Sequence, residues 1–171
     1  MAKQDSKTSN RREFLTDLTV TFGAAGAACA AYPFIKSMSP AANVKAQATT
    51  TVDISDLEEG MSKTVVLRGK PVFIKYRTPA EITDMKAVDV SELRDPQTDE
   101  ERVKNEKYLV AVAVCTHLGC VPMGGGNYEG WLCPCHGSQF DASGRIRRGP
   151  APTNLEVPPY KFLDDSTIKI G

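Results

Sequence analysis

The first long pattern in the chain is apolar. After a polar start carrying Lys3, Lys7, Arg11 and Arg12, the stretch from Leu18 to Ile35 contains no charged residue. At about 1.5 Å per residue this run makes a helix of roughly 27 Å, and Phe14, Leu15 and Met38 extend it to the thickness of a bilayer. A single membrane crossing is the expectation. Its Gly and Ala content (Gly23 to Ala28) makes it weakly hydrophobic and suited to close packing against other transmembrane helices. Ser37 to Thr51 is small, polar and Ala-rich, the composition of a linker. From Val52 onward the pattern changes to period two, as in Thr64-Val65-Val66-Leu67-Arg68 and Val72-Phe73-Ile74-Lys75-Tyr76. These read as two strands joined at Gly69-Lys70, where Gly in the first central position suits a type II′ hairpin. Tyr108 to Val114 is a third strand, apolar enough to be buried on both faces, and it runs straight into Cys115. Thr167 to Ile170 closes the domain. Between them, the charged stretch Arg94 to Arg102 reads as an inserted short helix and loop, and no internal repeat is present.

Composition narrows the function. A chain of 171 residues holds one compact domain plus an appendage. Lys+Arg and Asp+Glu are equal at 21 each, so no global field attracts nucleic acid. Five cysteines stand against two histidines, and four of those cysteines with both histidines fall between positions 115 and 136. Cys29 lies apart in the apolar run, where a thiol behaves as a small hydrophobe, and is given no role.

Asn10-Arg11-Arg12-Glu13-Phe14-Leu15 resembles the twin-arginine export signal, which sends a protein across the membrane already folded. Folded export preserves a cofactor inserted beforehand. Ordinary basic flanks obeying the positive-inside rule give the same orientation, with the N-terminus inside. Ala46-Gln47-Ala48 offers a cleavage site for a signal peptide. However, the apolar run exceeds the roughly 7–15 residues of a signal core and the site lies well past its end, which favours an uncleaved anchor. About ten linker residues cover roughly 15 Å as helix but up to about 35 Å extended, so a swinging tether and a passive spacer are both open.

The chemistry sits in two segments, Cys115-Thr116-His117-Leu118-Gly119-Cys120 and Cys133-Pro134-Cys135-His136-Gly137-Ser138. Each offers a cysteine and a histidine close together, Cys115 with His117 and Cys133 with His136. Two such loops meeting across a site supply two thiolates and two imidazoles, a set that zinc also accepts. Three features favour an iron-sulfur group. A second cysteine in each loop, Cys120 and Cys135, is placed to cross-link the loops, as suits an exported domain. Gly119, Gly124, Gly125, Gly126, Gly130 and Gly137 let backbone approach a bulky cofactor. An exported, membrane-tethered module also has a use for redox chemistry.

CTHLGC and CPCHGS, with the following Gly149-Pro150-Ala151-Pro152, resemble the Rieske iron-sulfur subunits of ubiquinol-cytochrome c reductase. The resemblance covers nearly the whole chain, including the Leu155-Glu156-Val157-Pro158-Pro159-Tyr160 ending. It implies a mainly β fold: a Rieske-type antiparallel β-sandwich with an inserted cluster-binding subdomain, behind one N-terminal transmembrane helix. The implied organisation is a cytoplasmic N-terminus over 1–13, an anchor over 14–38, a hinge over 39–51 and a [2Fe-2S] domain over 52–171, with the cluster-binding part at about 115–152. It also implies that Cys115 and Cys133 hold one iron, His117 and His136 the other, and Cys120 and Cys135 form a disulfide. Ser138 is then a hydrogen-bond donor to a cluster sulfide and Leu118 a shield over the cluster. The implied partners are quinol, cytochrome b and a membrane-bound c-type cytochrome, in a dimeric complex. The implied location is a bacterial inner membrane, with the soluble domain on the periplasmic side. A Rieske small subunit of another exported oxidase, of the arsenite oxidase type, and a zinc-stabilised interaction module are the competing expectations.

Two neutral imidazoles in place of two thiolates make the cluster less negative and raise its potential, into the range of roughly −150 to +300 mV. An iron-bound imidazole retains an N–H on its other nitrogen, and holds it less tightly when the iron is oxidised, so that electron and proton move together. His117 and His136 are the only histidines available for that role. In one place the chain departs from the family it resembles. Phe140 stands where tyrosine is common, and phenylalanine cannot donate to a cysteine sulfur. The expectation is a lowered potential, which leaves ubiquinol and lower-potential quinols both open as substrate.

Overall fold

The computed structural model describes residues 11–39 and 48–171. The chain divides into two compact units, one ending at Ala42 and the other running from Asn43 to Gly171. Most of the expected hinge over 39–51, and most of the N-terminal segment 1–13, lie outside the described residues.

In the first unit, helix α1 spans Arg11–Ser37, and none of its side chains is buried. Phe22, Phe34 and Ile35 are each about 70% exposed (70%, 73% and 68%). A long apolar stretch exposed on every face of a helix calls for an apolar surrounding, which a bilayer or other membrane helices supply. Its 27 residues reach about 40 Å, more than a hydrocarbon core needs.

The second unit is built from three antiparallel sheets. Strands β1 (Thr50–Asp53), β9 (Tyr160–Asp164) and β10 (Thr167–Ile170) form one, with β10 central. Strands β2 (Ser62–Leu67), β3 (Lys70–Tyr76) and β4 (Tyr108–Val112) form the second, with β3 central. Four two- or three-residue strands form the third in sequential order: β5 (Met123–Gly124), β6 (Trp131–Leu132), β7 (Gln139–Phe140) and β8 (Ile146–Arg148). Helix α2 (Pro79–Ala87) follows β3 and begins with a capping box. There the Thr78 hydroxyl accepts from the Glu81 amide and the Glu81 carboxylate accepts from the Thr78 amide, which satisfies two otherwise orphaned donors.

The β2–β3 turn differs from expectation. Leu67 pairs with Lys70, so the turn residues are Arg68 and Gly69, both with positive φ (51° and 78°). Positive φ at both central positions is type I′, whose twist matches the flanking strands. The Arg94 to Arg102 stretch also differs, because it is not helical. The helix lies earlier, at α2, with a single 3-10 turn at Val90–Glu92. The charged stretch itself straps irregularly across the domain, and Asp99 and Arg102 within it are buried at 2% and 4% exposure.

Strand β4 joins the two cores. Val110 and Val112 face one cluster with Val72, Ile74, Val52, Ile168 and Ile170, which fills the space between the two three-stranded sheets. Leu109, Ala111 and Ala113 face the other, with Phe73, Trp131, Phe140, Ile146 and Leu155. Period-two geometry explains the division, since successive residues of a strand point to opposite faces. Both faces are buried, as the apolar run predicts. Cys115 continues the odd-numbered register and packs in the second core.

Candidate metal centre

Two loops of the same construction carry the chemistry. In the first, the Cys115 amide donates to the Cys120 carbonyl at 2.8 Å and the Gly119 amide to the Cys115 carbonyl at 2.9 Å. In the second, the Cys133 amide donates to the Ser138 carbonyl at 2.8 Å and the Gly137 amide to the Cys133 carbonyl at 3.0 Å. Each loop therefore closes on itself, and its fifth residue is a glycine at φ of +82° or +75°. A side chain there would be strained, so the sequence must supply glycine for the loop to close. Strand β4 feeds the first loop and β6 leads into the second, which β7 continues.

The loops present their donors at two depths. Cys115 and Cys133 are free thiols, each 2% exposed. Burial pushes the Cys115 thiol up, and the Cys133 sulfur adds to the effect, while hydrogen bonds from the His117 amide and the Ser138 hydroxyl pull it back. Nearer the surface, His117 is half-buried and His136 exposed, with ring centroids 4.7 Å apart and planes nearly perpendicular at 88°. Cys120 and Cys135 form a disulfide, which bolts the loops together across a Cα separation of 6.7 Å. The Cys133 sulfur lies within 4.8 Å of both disulfide sulfurs. Because bonded sulfurs are poor ligands, those three cysteines are not themselves a metal site. Leu118, next to His117 in the chain, is 71% exposed.

The structure brings together all eight residues singled out in the sequence, but it divides the six glycines. Gly119 and Gly137 belong to the two loops. Gly124, Gly125 and Gly130 instead line a cleft with Lys75, Glu81 and Trp131. A Cβ at Gly130 would come within 2.2 Å of the Phe140 carbonyl oxygen, so strand packing requires it. At Gly126, whose φ is +94°, a Cβ would come 3.3 Å from Gln139 Oε1. A bulky cofactor does not explain these four.

Ser138 is fully buried, and its hydroxyl accepts from the Ala151 amide at 3.1 Å, which leaves its own proton free to point at sulfur. Phe140 is also fully buried, in the core that holds Cys115 and Cys133.

Behind the loops lies a buried ionic network that gave no signal in the sequence. Arg77 and Asp99 pair at 2.5 Å with both side chains 0% exposed, and the Ser143 hydroxyl also donates to Asp99. Arg145 pairs with Asp141 at 2.9 Å and reaches the Met85 carbonyl of α2. Among the described residues, Arg102 has no carboxylate partner in hydrogen-bond range. It donates to the carbonyls of Ser143 and Leu155, each at 2.6 Å, and burial pushes it down to about 10. Among the described residues, no buried side-chain polar atom is left without a partner. The network fastens the strap at residues 97–102 to the β7–β8 turn, and so fixes the rear of the second loop.

The donor set fits a two-iron group bound by two thiolates and two imidazoles. Buried thiols face inward, histidines face solvent, and the two loops leave both pairs on one side.

Comparisons with known proteins agree with this geometry. The family described as "Rieske [2Fe-2S] domain" matches residues 47–160, and that described as "Ubiquitinol-cytochrome C reductase Fe-S subunit TAT signal" matches residues 1–41. The ubiquinol-cytochrome c reductase iron-sulfur subunit of Rhodospirillum rubrum is 55% identical, with 95% of this chain and 92% of that protein covered. The subunit of the same name from Blastochloris viridis is 54% identical, with 100% and 98% covered. A solved chain from a hyperthermophilic respiratory Complex III superposes with a TM-score of 0.55 at 26% identity, covering 90% of this chain and 98% of that one. With its N-terminal signal and anchor helix, its β domain and its paired Cys-His loops, this membrane-anchored chain belongs to the family of Rieske iron-sulfur subunits of ubiquinol-cytochrome c reductase.

Proposed function

We propose that Cys115 and Cys133 hold the inner iron of a single [2Fe-2S] cluster and that His117 and His136 hold the outer one, in an electron-transfer subunit of ubiquinol-cytochrome c reductase. The observation that carries this reading is the difference in depth: both thiols are 2% exposed, while His136 is open to solvent and His117 partly so. Bound there, the cluster supplies a one-electron carrier at a raised potential. The chain supplies the rest. Its imidazoles present a ring nitrogen to the surface, where a quinol hydroxyl hydrogen-bonds and gives up its proton. Leu118, exposed next to His117 in the chain, is their apolar cover. Ser138 orients a donor toward the sulfurs, and the Cys120–Cys135 disulfide holds the two loops in register.

In this reading the quinol is met at cytochrome b and the electron passes to a membrane-bound c-type cytochrome, within a dimeric complex. The reductase activity belongs to the assembly. Helix α1 is the single crossing of a bacterial inner membrane and the Rieske domain stands on the periplasmic side, with the twin-arginine segment as the route of folded export. Residues 39–51 are the hinge in this reading. Near-complete coverage by reductase subunits, and a signal family specific to them, do not favour an arsenite oxidase type or a zinc module.

EPR of dithionite-reduced membranes tests the assignment, together with iron and acid-labile sulfide analysis. A low-g-value signal that disappears in His117→Ala and in His136→Ala is the expected result. A colourless protein containing zinc would overturn it.

A further inference from the structure

The segment 149–154 passes directly over Ser138. A Cβ on Gly149, whose φ is +100°, would lie 2.5 Å from the Ser138 Cα, so the two backbones touch. Residues outside this segment grip it. The Arg94 guanidinium Nη1 donates to the carbonyls of both Gly149 and Ala151, each at 2.6 Å. Asp95 Oδ2 accepts from the Asn154 amide at 2.9 Å, and the Asp95 carbonyl accepts from the Asn154 side chain at 3.0 Å. The Thr116 hydroxyl, beside His117, donates to the Thr153 carbonyl at 2.6 Å. Between the two carbonyls held by Arg94 runs the peptide that leads to the Ala151 amide, and that amide donates to the Ser138 hydroxyl.

Among the described residues, Arg94 has no carboxylate partner in hydrogen-bond range. Its charge is spent on two carbonyl oxygens in a short, charge-assisted contact. Holding both carbonyls fixes the orientation of the intervening peptides and so the direction of the Ala151 N–H. That N–H occupies one lone pair of the Ser138 oxygen and thereby sets where the hydroxyl proton points. A hydrogen bond to a cluster sulfur raises the reduction potential, so a residue that aims the hydroxyl acts on the potential from a distance.

We propose that Arg94 is a positioning residue for the redox centre: by clamping Gly149 and Ala151 it aims the Ser138 hydroxyl and keeps the cluster potential high. This rests on the ligand assignment proposed above. The alternative, that Arg94 acts as a charge through space, predicts a different pattern.

The test is an EPR-monitored redox titration of the full chain in its membrane complex. The variants are Arg94→Ala, Arg94→Lys, Ser138→Ala and the double Arg94→Ala/Ser138→Ala. Because the titration reads only cluster-bearing molecules, partial loading does not distort it. Arg94→Ala is expected to lower the potential by no more than Ser138→Ala does, and the double variant to match Ser138→Ala alone. Arg94→Lys keeps the charge but not the planar fork, and should recover only part of the shift. If Arg94→Ala retains too little cluster, Arg94→Met, which keeps the length without a donor, replaces it with the same expectations. An unmoved potential overturns the proposal, as do shifts that add in the double variant or a wild-type potential in Arg94→Lys beside a lowered one in Arg94→Ala. Loss of the cluster from every Arg94 variant assigns the residue to folding and overturns it too. A wild-type complex without the low-g signal would sink the ligand assignment instead.

Discussion

The rings of His117 and His136 meet edge to face, with centroids 4.7 Å apart, although they come from loops separated by the whole of β5 and β6. Imidazoles so close can share one coordination sphere, and the disulfide and the second core hold their loops together. Replacing either histidine, or Cys115 or Cys133, by a residue that cannot ligate is expected to remove iron and acid-labile sulfide almost completely. Ser138→Ala should retain both. Metal analysis of purified complex decides this, and a fully loaded His136→Ala protein would contradict it.

Loss of the disulfide should cost stability more than ligands. Cys120 and Cys135 are separated by 15 residues, and closing a loop of that size is worth about 3 kcal/mol in the chain-entropy account. Cys120→Ser/Cys135→Ser should therefore lose its visible circular dichroism at a lower temperature than the parent while still binding iron when freshly prepared. A melting temperature equal to the parent's would show that the surrounding core alone holds the loops.

Phe140 shares a fully dehydrated core with Cys115 and Cys133. A hydroxyl added there has few partners besides sulfur, and one aimed at sulfur stabilises the reduced state. Phe140→Tyr is expected to raise the midpoint potential. An unchanged or lowered value in a redox titration would refute the reading of Phe140 as the source of a lowered potential.

The Arg77–Asp99 pair should govern acid stability. Burial alone would raise the Asp99 carboxyl, but hydrogen bonds from Arg77 and Ser143 outweigh it and hold the carboxyl below the usual carboxylate range. A depressed folded-state value contributes stability above the unfolded-state value near 3.8, and that contribution is lost as pH falls through the lower folded one. Asp99→Asn should leave Arg77 buried without its counter-charge, cost about 3–5 kcal/mol at neutral pH and flatten the acid limb. Thermal unfolding followed from pH 7 to pH 2 checks this, and an unflattened acid limb in Asp99→Asn would contradict it.

How much was legible depended on whether the signal was local. The anchor helix, β4 and β10 follow from apolar runs and period-two alternation, because burial on one or both faces writes itself directly into the pattern. The type II′ turn at Gly69-Lys70 was misplaced by one residue. Glycine marks a positive φ but not which of two adjacent turn positions holds it, and Arg68 adopts positive φ without any side-chain signature. The Thr78-Pro79-Ala80-Glu81 capping box is the local signal for α2, which lies before the charged run and not within it. The charged run from Arg94 to Arg102 reads from sequence as an inserted short helix and loop, because charge density looks the same whether its partners are water or buried guanidinium groups.

Residue type and loop spacing by themselves determined the ligand candidates, the cross-linking pair and the membrane run, since thiols, imidazoles and long apolar stretches have few other uses at such spacing. Only the tertiary structure decided which glycines belong to the two loops, that the thiols lie deeper than the imidazoles, and that Arg94, Asp99 and Arg102 hydrogen-bond to partners up to 57 residues away in the chain. Those facts depend on contacts between segments remote in sequence. A hydrogen bond from Arg94 to Gly149 leaves no periodicity behind, because its partner is chosen by where the sheets bring the backbone.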